Sequence, residues 1–178
     1  MTETIRPQHD RRAETPDEAL LRLMQAWEVP IRRMCCVYLR DEDMARDAVQ
    51  ETFLKAYRGL SGFRGESSER TWLMRIAINT CRDMRKAAWF RFVDRRVTLE
   101  KLPEPVAETS WERTDLTLDV MKLPTKLLDV VLLHFYQGMS VREVGAALGI
   151  PYQTVTSRLK AACAKLRVQM EEGGNRDD

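Results

Sequence analysis

Four side chains between Arg75 and Lys86 outline a chemistry of holding, not of bond breaking. Arg75, Asn79, Arg82 and Lys86 recur at intervals of four, three and four, which puts them on one face of a helix. Phe63 and Trp72 stand just upstream, in the stretch GFRGESSERTW. Cations for phosphates and flat rings for unstacked bases are what single-stranded or melted DNA requires. From Gly62 to Arg91 there are seven Lys plus Arg against three Asp plus Glu, so the segment stands at plus four while the whole chain is only plus two. An ordinary solvated amphipathic helix remains the plain alternative from charge alone.

A second set of contact-making residues opens the last helical stretch: Tyr152, Gln153, Thr154, Thr156, Ser157, Arg158 and Lys160. Side chains of this kind reach base edges and phosphates when the start of a helix lies in the major groove. Met139 to Val168 carries five basic residues against one acidic, again plus four. A helical hairpin used only for protein contacts is the alternative here.

Pocket chemistry is hard to assemble from the remaining residues. The chain has no Gly-rich phosphate loop, no G-x-S-x-G and no H-E-x-x-H, so no enzyme activity is expected. Cys35, Cys36, Cys81 and Cys163 form no C-x-x-C pair and have no histidine at ligand spacing, so they read as buried reduced thiols, with no metal and no cofactor. His9 lies in a polar leader and His134 in an apolar helix, so neither reads as a catalytic base. No apolar run approaches the roughly 18–20 residues that span a bilayer, and the charged amino terminus does not resemble a secretory signal. The protein is expected in the cytosol.

The elements that must position these residues are helical. With 44% apolar and 31% charged residues and few glycines or prolines among 178, an all-α fold of two small helical domains is expected. After a disordered leader (1–14), Thr15, Pro16 and Glu18 make a capping box with proline at the first helical position. Leu20, Leu21, Met24 and Trp27 supply its buried side, and Pro30 should bend or break it before Ile31, Met34, Cys35 and Tyr38 resume the period. The next helix buries Ala45, Ala48, Val49, Thr52, Phe53, Ala56 and Tyr57. Its outer face carries Asp43, Asp47, Gln50, Glu51, Lys55 and Arg58. In the basic helix Trp72, Leu73, Ile76, Ala77, Thr80 and Met84 form the inner side. Trp89, Phe90 and Phe92 either close this first domain (15–96) or extend its nucleic-acid surface.

A proline-interrupted acidic linker (97–113) follows, and Val97 to Asp119 stands at minus four. The second domain (114–170) has a short helix with Leu116, Val120, Met121 and Leu123, stopped by Pro124. Thr125 then caps a helix bearing Leu127, Leu128, Val131, Leu132 and Phe135, which ends at Gly138. Ser140 with Glu143 makes a second capping box, Gly149 supplies a turn, and Val155, Leu159, Ala162 and Leu166 mark the last helix. Two helices joined by a short glycine turn, the second long and basic, form a helix-turn-helix pattern. A disordered tail (171–178) closes the chain.

DAVQETFLKAYRGLSGFRGESSERTWLMRIAINTCRDMRK resembles region 2 of bacterial extracytoplasmic-function (ECF) sigma factors, and LPTKLLDVVLLHFYQGMSVREVGAALGIPYQTVTSRLKAACAKLR resembles their region 4. The resemblance implies an alternative sigma factor that binds core RNA polymerase through the β′ clamp helices and the β subunit. It would recognise the minus-35 duplex and melt the minus-10 element. It assigns Asp47, Gln50 and Glu51 to the clamp helices. Phe63 and Arg64 fall in the loop that captures a flipped minus-10 base, Asn79 helps to hold that base, and Arg75 and Arg82 line the strand. The linker would thread the polymerase cleft, and Thr154, Thr156, Ser157, Arg158 and Lys160 would dock on the minus-35 duplex. An anti-sigma factor, possibly membrane-bound, is the implied regulator, and no small-molecule substrate is implied. Ala161 and Cys163 stand where many members carry arginine; each lost phosphate contact weakens minus-35 binding and flattens its salt dependence by roughly one counterion. Those two residues motivate a second reading, a sigma-like mimic that sequesters an anti-sigma factor without binding DNA. A stand-alone helix-turn-helix repressor would explain only the last third of the chain.

Overall fold

A computed structural model describes residues 14–94 and 115–174, and contains no strand among them. The expectations for the leader, the linker and the rings of Trp89, Phe90 and Phe92 lie outside what is described. Helix α1 (Pro16–Leu39) begins at the capping box: the Glu18 N–H donates to Thr15 Oγ1 at 3.3 Å, and the Thr15 N–H donates to the Glu18 carboxylate at 2.8 Å. The helix passes through Pro30 without a break, so of the expected bend or break the second does not occur. Burial of Ile31 and of Met34 through Tyr38 outweighs the roughly 3 kcal/mol that proline costs inside a helix. Leu21 is exposed, and the buried positions are Ala19 and Leu23. Two adjacent leucines offer two phases of the same period, and steps of four from Ala19 to Ile31 select the other one.

Helix α2 (Glu42–Gly59) is capped by Asp41, whose Oδ1 accepts from the Met44 N–H at 2.7 Å. Its expected core stripe is buried except for Tyr57, which leans outward so that its hydroxyl donates to Asp17. A 3-10 turn (Leu60–Gly62) and a loop lead into α3 (Glu69–Asp94). Helix α3 buries more than one stripe: Leu73, Met74, Ala77, Ile78 and Cys81 are all fully enclosed, while Trp72, Ile76 and Met84 are only half-buried. It is clasped by α1 and α2 on one side and by the second half of the chain on another.

That second half opens with α4 (Asp115–Met121), on which Leu116 is exposed and Thr117 buried. Helix α5 (Thr125–Val131) has Pro124, not Thr125, at its cap and no side-chain bond there. It widens into a π-helical turn (Leu132–Tyr136). The extra residue per turn rotates Phe135 off the expected stripe and out to solvent.

Helices α6 (Val141–Leu148) and α7 (Tyr152–Gly174) form the helix-turn-helix, with the Ser140–Glu143 capping box at its head. Gly145 admits no side chain, since a Cβ there would lie 2.8 Å from the Ile150 carbonyl oxygen. Gly149 ends α6 in the left-handed region at φ 66°. Helix α7 continues to Gly174, beyond the expected end near Met170. The two halves pack against each other, α6 on α3 and α4 on α1, and share one continuous set of buried side chains.

Candidate nucleic-acid interface

Phe63 and Trp72 meet at the start of α3, their ring centroids 5.0 Å apart and tilted by 40°. They line a recess of about 470 Å³ with Gly62, Arg64, Glu66, Ser67 and Arg75. The Ser68 hydroxyl accepts from the Thr71 N–H at 3.1 Å, which fixes the way the loop enters the helix. From this recess the expected stripe runs along α3: Arg75 and Asn79 are exposed, Arg82 is half-buried and Lys86 is exposed. Arg82 Nη1 donates to Asn79 Oδ1 at 3.1 Å, so two members of the stripe are joined directly.

The second half of the chain reaches into this surface. Ala146 of α6 forms part of the recess wall, and its carbonyl accepts a hydrogen bond from Arg75. Asp129 of α5, 2% exposed, receives Arg82 through Nη2 at 2.6 Å and Nε at 3.2 Å. Burial opposes the Arg82 charge, but the bond and charge of Asp129 outweigh it and raise the guanidinium's affinity for its proton. Asp129 and Ala146 escaped sequence reasoning. A signal for Asp129 was present in LLDVVLL, where a carboxylate inside an apolar run has to find a cation. Ala146 contributes through its backbone, which leaves no trace in residue type.

Asp47 and Gln50 are exposed on the outer face of α2, and Glu51 is half-buried beside them with its carboxylate 3.6 Å from Lys55. At the head of α7, Tyr152, Gln153, Ser157 and Lys160 are exposed, while Thr154, Thr156 and Arg158 are half-buried. Thr156 donates back to the Tyr152 carbonyl at 3.1 Å, and Arg158 turns toward the cleft between the halves. Ala161 and Cys163 are exposed one turn further on, leaving that part of the helix surface uncharged. Helix α3 is anchored at its start by Arg22 of α1, which grips the Glu69 carboxylate with two bonds of 2.8 Å. Arg70 stacks 5.3 Å from the centre of the Trp27 ring.

The profile of Sigma-70 region 2 matches residues 23–91, and that of Sigma-70 region 4 matches residues 120–166. The RNA polymerase sigma-H factor of Pseudomonas aeruginosa is 32% identical over 136 residues, covering 68% of this chain and 70% of that protein. The ECF RNA polymerase sigma-E factor of Escherichia coli is 33% identical over 127 residues, 64% of this chain and 66% of that protein. Among solved structures, CnrH in complex with the cytosolic domain of CnrY superposes with a TM-score of 0.67 at 25% identity, covering 88% of this chain and 90% of that one. The sigma factor RpoE of Bartonella quintana, in complex with the anti-sigma factor NepR, shares the fold with a TM-score of 0.67 at 24% identity, covering 87% of this chain and 96% of that one.

Proposed function

Because this chain belongs to the ECF sigma factors of bacterial RNA polymerase, we propose that α2 docks it on the polymerase, the α3 stripe traps the minus-10 strand and the head of α7 reads the minus-35 duplex. Sigma factors bind core polymerase and promoter DNA, and the chain is an alternative initiation factor of that kind. On this reading Asp47, Gln50 and Glu51 meet the β′ clamp helices. Phe63 and Arg64 bound the recess for a flipped base, Asn79 holds that base, and Arg75 and Arg82 track the phosphates. Tyr152, Gln153, Thr154, Thr156, Ser157, Arg158 and Lys160 face the duplex. The observation that carries the strand trap is continuity: an aromatic recess large enough for a base opens directly onto a line of cations.

The protein itself breaks no covalent bond; it separates strands by holding one of them. It works in the cytoplasm with the polymerase, and no helix among the described residues is long and apolar enough to cross a membrane. A protein antagonist of the anti-sigma kind is its regulator, a reading supported by the complex of the sigma factor RpoE with the anti-sigma factor NepR. The test is a forked minus-10 probe offered to the chain on core polymerase. Binding should be salt-sensitive, and Arg75→Ala or Asn79→Ala should weaken it about tenfold, the scale of one lost base or phosphate contact. Unchanged binding in both variants would overturn the strand trap and favour the sigma-like mimic.

A further inference from the structure

Between α1, α3, α5 and α7 lies a second cavity, of about 830 Å³, with the Arg82–Asp129 bridge in its wall. Its wall carries Arg82, Arg85, Lys86, Lys126 and Arg158, with Asp129 as the one acid among the described lining residues. The Asp129 charge is already committed to Arg82, so the wall is left with a large cationic excess.

Beside this cavity Arg85 Nη1 is buried and finds no hydrogen-bond partner among the described residues, while the Tyr38 hydroxyl interacts with Asp129 and Arg82. Tyr38 is 1% exposed and Asp129 2% exposed, and Arg85 lies over the Tyr38 ring at 5.7 Å. Buried polar groups are normally paired, and leaving them open is unfavourable. Here one guanidinium donor, on Arg85, is left open beside a wall of cations.

We propose that this cleft binds a nucleotide, a small molecule with two or more phosphate charges and a flat ring. The phosphates answer the cations, and Arg85 offers the planar fork that suits phosphate oxygens. The volume falls in the range of small-molecule sites, roughly 300–1,000 Å³, and far exceeds what a bare phosphate fills. Tyr38 and Ile150 supply apolar wall. The residues come from both halves of the chain, so an occupant binds the packed arrangement and favours it over a separated one. Bound nucleotide therefore opposes strand capture, a consequence that rests on the minus-10 reading; the binding itself does not.

The test is calorimetric titration of the full chain at low salt with ATP and GTP, and with pyrophosphate and adenosine for comparison. A nucleoside triphosphate should bind one to one, at least tenfold tighter than pyrophosphate, with adenosine undetectable. Lys126→Ala, at an exposed position outside the core, should weaken binding severalfold, and Arg85→Gln should weaken it more. Arg33→Ala removes the same charge from an exposed site on α1 and should leave binding unchanged. No binding, equal affinity for pyrophosphate, or equal losses in Lys126→Ala and Arg33→Ala would each overturn the proposal. If the nucleotide binds as stated but does not compete with a forked minus-10 probe, the cleft stands and the minus-10 reading is at fault.

Discussion

Asp129 has the most consequential environment of any single residue. Its carboxylate is buried and held by one guanidinium that is itself partly exposed, so removing either partner leaves a charge or a vacancy inside the protein. Arg82→Ala should cost about 3 kcal/mol in urea unfolding, the scale for breaking a buried pair. The Arg82→Ala, Asp129→Leu double variant should recover most of that loss, because an apolar pair of similar volume needs no counter-charge. The thiols give a second test. Cys35 and Cys81 lie 3.4 Å apart in the core, and the Cys81 hydrogen bond, with burial, pushes the Cys35 thiol well above its usual range. Burial raises Cys36 as well. Since the thiolate is the nucleophile, Ellman's reagent should titrate one thiol, Cys163, in the folded chain and all four only after unfolding. Sequence reasoning expected four buried thiols, and it misjudged Cys163 for a plain reason: a short, weakly polar side chain leaves the amphipathic pattern of α7 unchanged on either face.

At the scale of elements, helix starts were the most legible features, because a capping box is a purely local arrangement. Ser140 and Glu143 close theirs reciprocally: the Ser140 N–H donates to the Glu143 carboxylate at 2.8 Å, and the Glu143 N–H donates to Ser140 Oγ at 3.3 Å. Ser140→Ala should cost about 1 kcal/mol. The bond from the Ser140 backbone, followed by that from its side chain, draws the Glu143 carboxyl below its ordinary value of 4.5. A carboxylate with a lowered folded pKa contributes stability that is complete above its unfolded pKa and is lost as pH falls through the folded one. Glu143→Gln keeps an acceptor for the cap but does not titrate there, so its stability should vary less with pH below 4.5 than that of the parent chain. Features that depend on neighbours were less legible. The phase of α1 at Leu21, the intact passage through Pro30 and the π turn that expels Phe135 are all decided by what packs alongside, and no local pattern encodes that.

For the whole molecule, the central fact is that groups proposed to hold DNA already have partners inside the chain. Arg75 donates to Ala146, Arg82 is held by Asp129, and the Ala146 backbone walls the base recess. Both sigma regions were legible in the sequence, yet their mutual packing was not. Two patterns that are each complete in themselves do not reveal that one covers the other. Strand capture on this reading requires the halves to part, so the free chain is handicapped by the free energy of their contact. Gln137 offers a way to measure that handicap without touching the stripe. It is 6% exposed, and its Nε2 donates to the Pro30 carbonyl at 2.9 Å across the junction. Gln137→Ala removes one such bond, worth roughly 0.5–1.5 kcal/mol net, and should raise the free chain's affinity for a forked minus-10 probe about twofold to tenfold. The same reading puts the halves apart on core polymerase, so there the substitution should leave probe affinity unchanged. A gain of equal size in both settings would locate the effect in the DNA contacts themselves, and no gain in either would mean that the packed halves do not obstruct the strand.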